Sequence, residues 1–215
     1  MRNRPVLIAL ALACALVLPA AASAKRRPLA PGGSGARVAA MQTYLAQLGY
    51  LPWEAVNGSY DYRTTHAVMA FQGWSGRTRD GLASVKTLKA LTHARTPKPW
   101  RRYKGRRVEV HIDKQVVLLV DESNAVVRAI HVSTGAGGKT PEGDFSVYRK
   151  EEMSWSTPFS TWLPWASYFS GGFAFHEYPD VPGYPASHGC VRVPAPEAPV
   201  IFGFAGYGTP AHIHS

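Results

Sequence analysis

The apolar residues of this chain change their period once, near Val108, and no single uniform architecture accommodates both halves. Before that point Val38, Met41, Leu45 and Leu48 recur at three and four residues, which is one face of an amphipathic helix ending near Gly49. Asp61 stands where it can cap a second helix with Val68 and Phe71 turned inward, and Ser84 a third with Val85, Leu88 and Leu91 inside. Three short helices bury one small core. After Val108 the pattern turns to period two and β-branched runs at 108–112, 116–120 and 125–133, separated by Asp113-Lys114 and Glu122-Ser123-Asn124. That is the signature of an antiparallel meander, and residues 143–149, 173–177 and 209–214 read as further strands. The expected fold class is two domains, a small all-α three-helix domain followed by a mainly β domain. With 215 residues, 46% of them hydrophobic, the chain has length and apolar material for both.

Residues 1–24 stand apart from both halves. Arg2 and Arg4 precede an apolar run from Val6 to Leu18, then Pro19 and the small triplet Ala22-Ser23-Ala24. This is the layout of a cleavable secretory signal. An uncleaved anchor is the alternative, since the run approaches the roughly 20 apolar residues a spanning helix needs, and it is the only part of the chain that suits a membrane. A lipid attachment at Cys14 fits less well, because the apolar run continues past it. Export removes Arg2, Arg4 and Cys14, so the net charge moves from +10 to +8 and Cys190 becomes the single cysteine, in an oxidising compartment. Nucleic acid is the reflex partner of so basic a chain, but an exported protein without a basic helix face argues against it. Acidic wall polymers fit the charge better.

Residues 25–32 read as a flexible lead-in of Lys, Arg, Pro and Gly that does not pack. The helical part then follows the order Gly33-Ser34-Gly35, Val38, Gln42, Leu45, Leu48-Gly49-Tyr50-Leu51, Asn57-Gly58, Thr64, Ala67-Val68, Phe71-Gln72, Asp80-Gly81 and Thr87-Leu88. On these residues it resembles a three-helix peptidoglycan-binding domain, with bounds of 33–95. It departs from the family at Asn57-Gly58, where Asp-Gly is usual, and at Asp61, where Gly is expected. Residues 96–107 hold Pro97, Pro99 and six bases with Trp100 and Tyr103 between them. Interleaved aromatics can stack on bases or sugars, but prolines and like charges favour a solvated, extended joint before a second domain at 108–215.

The sharpest segment is Ser187-His188-Gly189-Cys190-Val191-Arg192. A thiol is a nucleophile as thiolate, which an imidazole or a cation favours, and glycine lets backbone N–H groups approach a developing oxyanion. His176 ends a predicted strand upstream and makes a Cys/His pair with Cys190. Together with Val132-Ser133-Thr134-Gly135, Thr140-Pro141-Glu142-Gly143-Asp144-Phe145 and Gly208-Thr209-Pro210, this segment resembles the L,D-transpeptidase (YkuD-type) catalytic domain. The resemblance implies Cys190 as nucleophile, His176 as base, and His188 with Gly189 shaping the oxyanion site. It further implies acyl transfer between peptidoglycan stem peptides on their glycan strands. Cys190 would attack the carbonyl at the L-centre of a diaminopimelate, expel the terminal D-alanine, and pass the acyl group to an amine or to water. Arg192, Ser187, Tyr178 and Trp165 are the substrate-binding candidates, Arg192 through its planar fork on a carboxylate or as a structural ion pair. The residue after His176 is Glu177, where the family often has Gly or Ser, so the group orienting the imidazole is open; a backbone carbonyl is one choice.

Trp155, Trp162, Trp165, Tyr168 and Phe169 fall in a stretch read as irregular, either a lid or groove wall or plain packing. A metal hydrolase using His176, His188, Cys190, His212 and His214 is the rival enzyme, but the spacing fits no zinc pattern, and no metal or cofactor is expected. A catalytically silent wall-binding protein is the rival of another class, and the paired Cys190 and His176 argue against it.

Overall fold

The computed structural model describes residues 27–215; the signal reading of residues 1–24 lies outside them. Helices α1 (Ala36–Gln47), α2 (Tyr62–Trp74) and α3 (Val85–Leu91) form where the periodicity places them. The Asp61 side chain accepts the Thr64 N–H at 2.8 Å and Ser84 Oγ accepts the Thr87 N–H at 3.1 Å, so both expected caps are made. Gly49 supplies the positive φ of +82° that ends α1. Gln42, fully buried, accepts the N–H groups of Asn57 and Gly58 and donates to Ser59 O and Thr64 Oγ1, which fixes the loop between α1 and α2. Val85 corrects the expected inward face of α3: it is exposed at the first turn, and Thr87 is buried instead.

Nine strands build two sheets among the described residues. The first has the order β3-β2-β1-β9-β4, with β1 Arg107–His111, β2 Val116–Val120, β3 Val126–His131, β4 Gly143–Ser146 and β9 Pro210–His214. Its β1–β2–β3 meander is antiparallel as expected, while β9 joins β1 in parallel. The second has the order β5-β6-β7-β8, with β5 Arg149–Ser156, β6 Thr161–Ser170, β7 Phe173–Glu177 and β8 Val191–Val193. The supposedly irregular stretch is therefore a long hairpin, turned through Thr157–Phe159 and Ser160, whose φ is +46°. Val117 and Leu119 of β2 meet Phe169, Phe175, Val191 and Ile201, the last from helix α4 (Ala198–Phe204), in a core between the sheets.

The other face of β2 changes the domain picture. Val116, Leu118 and Val120, with Ala129 of β3, belong to the same apolar cluster as Leu45, Val68 and Phe71. The helical part thus does not close its own core; it covers the outer face of the first sheet. That is why residues 116–120 are an unbroken apolar run, since a strand buried on both faces has no polar side to show. Gly73 allows the approach at the end of α2, where a Cβ would collide with the Lys114 carbonyl. Glu197 fastens the seam by accepting from Arg63 of α2 at 2.7 Å and from Arg128 of β3 at 2.6 Å.

Two further expectations are corrected by the same packing. Residues 96–107 are a packed strap and not a solvated joint: Trp100 stacks on His111 at 4.0 Å, Tyr103 on His212 at 3.4 Å, and Arg107, fully buried, opens β1 and donates to Glu109 at 2.7 Å. Glu109 also accepts the Trp100 N–H, so the buried carboxylate holds strap and strand together. In the lead-in, Leu29 pairs with Ala83 and packs on the helical core. Among the described residues no helix is long and apolar enough to cross a membrane.

Candidate active site

His176 and Cys190 come together through the β7–β8 pairing. These strands run parallel with Phe175 opposite Val191 and His176 opposite Arg192, so His176, Arg192 and, one step back, Cys190 point to one face of the second sheet. That face opens into a groove of about 820 Å³ between the β5–β6 hairpin and the loop at 187–190, lined among others by Trp155, Phe159, Tyr168, His176, Cys190 and Arg192. The His176 ring is 3% exposed. Its Nδ1 lies 2.7 Å from the Glu177 carbonyl oxygen, which only the protonated nitrogen can approach as donor. The backbone therefore orients the imidazole and leaves Nε2 with its lone pair.

Burial governs both protonation states. It pushes His176 down to about 4, with Arg192 adding to the fall and the Glu177 carbonyl opposing it. It also pushes the Cys190 thiol up, against the Ala174 backbone N–H and the Arg192 charge. The resting groups on the groove lining are a neutral imidazole and a neutral thiol whose Sγ lies 3.8 Å from Gly172 O.

The loop before Cys190 is held by its own side chains and by the two upstream motifs. Ser187 Oγ donates to Cys190 O at 2.5 Å and accepts the Gly189 N–H at 3.0 Å. Gly189 has φ +134°, and a Cβ there would strike the Phe173 ring, so only glycine fits on both counts. Thr140 Oγ1 donates to Gly189 O at 2.8 Å and accepts the Gly135 N–H at 2.7 Å, while Ser133 bridges to Arg192 and Gly135 to Ser187. The motif residues at 133–135 and Thr140 thus clamp the loop before Cys190, a role their sequence position alone did not disclose.

Several candidate roles change with this geometry. Ser187 lines the groove but is largely buried, with its hydroxyl engaged within the loop, so it staples the loop. The Gly189 N–H is taken by Ser187 Oγ and is not an oxyanion donor; the residue makes the turn. His188 is exposed and stacks on Phe159 at 4.6 Å across the groove mouth. Trp165 lies outside the groove lining, with its ring against Phe202 of α4 at 5.5 Å, and Phe169 is in the core between the sheets. Arg192 sits over the Tyr178 ring at 4.1 Å, and its Nη1 reaches Asp180 Oδ2 at 3.5 Å, a carboxylate mostly in solvent. Tyr178 in turn presents its ring at 6.0 Å from His176. Arg149, missed in the sequence because it closes one expected strand, lines the groove with its guanidinium 3.7 Å over Tyr168. Phe159 was missed as well, since nothing local marks a turn residue as the stacking partner of His188.

The five metal-ligand candidates do not converge. His212 and His214 sit on β9 of the other sheet, where both meet Asp144 Oδ1, at 2.9 and 3.1 Å. Among the described residues no group of three or more His, Cys, Asp or Glu side chains is arranged to hold a metal ion.

The family of L,D-transpeptidase catalytic domains matches residues 105–213, and a peptidoglycan binding domain family matches residues 34–91. The crystal structure of an L,D-transpeptidase from Xylanimonas cellulosilytica is similar with 35% identity and a TM-score of 0.81, covering 87% of this chain and 98% of that one. That alignment runs through the helical part as well as the sheets. An L,D-transpeptidase from Stackebrandtia nassauensis shares the fold at 23% identity and a TM-score of 0.55, over 87% of this chain and 95% of its own. No protein with a curated description matches the chain.

Proposed function

The chain belongs to the L,D-transpeptidase family, and from that premise we propose that it is an exported wall enzyme in which Cys190 carries the acyl group of a peptidoglycan stem peptide. The observation that carries this reading is the imidazole of His176, fixed through Nδ1 to a backbone carbonyl and lining the same groove as the half-buried thiol of Cys190. As the donor carbonyl approaches, the Cys190 proton passes to His176 Nε2 and sulfur bonds to the carbonyl carbon. The oxygen becomes an oxyanion beside the Cys190 backbone N–H. Collapse breaks the C–N bond to the terminal D-alanine, whose nitrogen takes the proton back from His176, and a thioester remains. An incoming amine gives its proton to His176, attacks the thioester and restores the thiol; water in its place makes the reaction a carboxypeptidation. Arg192 turns from the exposed Asp180 to a substrate carboxylate, with Tyr178 holding its stem. The helical part holds glycan strands, and residues 1–24 carry the chain to the periplasm or wall.

The test is incubation of the full chain with a diaminopimelate tetrapeptide, reading intact-protein mass and free D-alanine. Wild type should gain the tripeptide acyl mass and release D-alanine, and Cys190→Ala should do neither. D-alanine release at the wild-type rate by Cys190→Ala would end the proposal.

A further inference from the structure

The helical part carries a hollow that the groove chemistry does not use. Arg77, just past α2, with Lys86 and Lys89 of α3 and His93 beyond it, lines an open depression of about 350 Å³ whose fifth lining residue is Ala90. Lys86 and Lys89 are exposed and three residues apart, so they share one helix face. None of Arg77, Lys86 and Lys89 has an acidic partner among the ion pairs of the described residues. Asp80, the nearest acid in sequence, is occupied by Gln72 Nε2 at 2.7 Å and the Leu82 N–H at 2.9 Å. Arg77 Nε is shielded from solvent yet has no hydrogen-bond partner among the described residues. His93 Nδ1 is placed on the Lys89 carbonyl at 2.9 Å, which leaves Nε2 as its other polar atom.

Like charges gathered without an acid repel one another, and one anion in the hollow relieves that repulsion. The hollow combines a planar fork with two ammonium groups, their charged ends around lining that is otherwise the aliphatic stems of these side chains and Ala90. That set suits a compact oxyanion bearing several acceptor oxygens. We propose that this hollow binds the phosphate groups of a phosphodiester-linked wall polymer and so tethers the enzyme near its substrate. The proposal rests on the reading that the chain works at a cell wall, and not on the chemistry of Cys190.

The experiment compares the full chain with Lys86→Glu/Lys89→Glu and with Arg77→Gln for binding to poly(glycerol phosphate) and to polyglutamate of equal chain length, at low and moderate salt. Thioester formation on a soluble tetrapeptide and the thermal midpoint report folding. Wild type should bind the phosphate polymer more tightly than the carboxylate polymer, and the double variant should lose about tenfold or more for phosphate, as expected when two exposed charges are reversed. Arg77→Gln, which removes the fork without reversing charge, should erase the preference for phosphate. Undiminished phosphate binding by the double variant overturns the proposal, as does equal affinity of wild type for the two polymers, which would make the hollow a carboxylate or non-selective patch. A wild-type chain that binds phosphate but forms no thioester would leave the hollow standing and remove only the catalytic reading.

Discussion

Burial sets the resting state of the Cys190 and His176 pair, and that makes its pH dependence specific. An imidazole pushed down to about 4 stays unprotonated through neutrality, so acylation should hold level from pH 7 toward pH 5 and fall as pH drops through about 4. An ordinary histidine would lose the same activity near its unperturbed value of roughly 6.5. Acylation rates against pH, read by intact mass on the tetrapeptide, separate the two. His176→Ala should lower the rate by about 10² to 10⁴-fold, the usual weight of a positioned base, and abolish the acid limb. His188→Ala removes an exposed ring from Phe159 and should keep the limb where it is. A limb that moves with His188 and survives His176→Ala would reverse the assignment. The motif made both histidines legible but not this distinction, because only the strand pairing shows that His176 lies opposite Arg192, on the strand beside the one Cys190 leads into. A second residue-scale expectation concerns Thr140. Thr140→Val leaves Gly189 O and the Gly135 N–H without their partner, each buried deficit being worth about 1–3 kcal/mol. Acylation should fall while the chain stays folded, by comparison of tetrapeptide rates with a thermal melt; an unchanged rate would show that the clamp is dispensable.

At the scale of elements, β2 and the β5–β6 hairpin show what a pattern reveals and what it hides. Residues 116–120 announced a strand, yet an apolar run reads the same whether its second face meets a sheet or a helix, so the partner was not legible. The hairpin was hidden for a different reason. Pro164 falls inside β6, the strand's pairing shifts register between Tyr168 and Ser170, and Trp155 and Trp162 meet each other at 5.1 Å on a half-exposed face, so no clean alternation survives. The double burial of β2 predicts how a shortened chain behaves. A fragment of residues 107–215 uncovers Val116, Leu118 and Val120, each worth about 1.5–3 kcal/mol when fully buried. It should melt at lower temperature than residues 27–215 and self-associate through the bared face, as seen by calorimetry and size-exclusion chromatography. A monomeric fragment with the melting temperature of the longer chain would mean that the helical part adds nothing to the sheet.

For the whole molecule, the division into a helical and a β part was legible from the change of period, while their union was not, since Arg63, Arg128 and Glu197 are far apart in sequence and carry no motif. The seam contains one more feature of that kind. His66 of α2 stacks on His131 of β3 at 5.3 Å with 19° between the rings, and the Nδ1 of each is buried without a partner among the described residues. Tyr62 lies against His66, and the Val181 and Pro182 carbonyls approach His131 Nε2, both at 3.2 Å. Burial pushes His66 down to about 4 and His131 to about 3, where His66 and Arg79 add repulsion. A histidine whose folded value lies below its unfolded one binds more protons when unfolded. Stability is therefore complete above pH 6.5 and declines as pH falls toward 4, on the order of 3 kcal/mol by pH 4 for His66 alone. His176 titrates in the same window, so the seam must be isolated by difference. His66→Phe keeps an apolar ring on His131, removes one titration and eases the repulsion on the other. Its melting temperature should fall less than that of the wild type between pH 7 and pH 4.5, with His176 common to both. Parallel declines would place the acid sensitivity elsewhere and leave the stacked pair as packing alone.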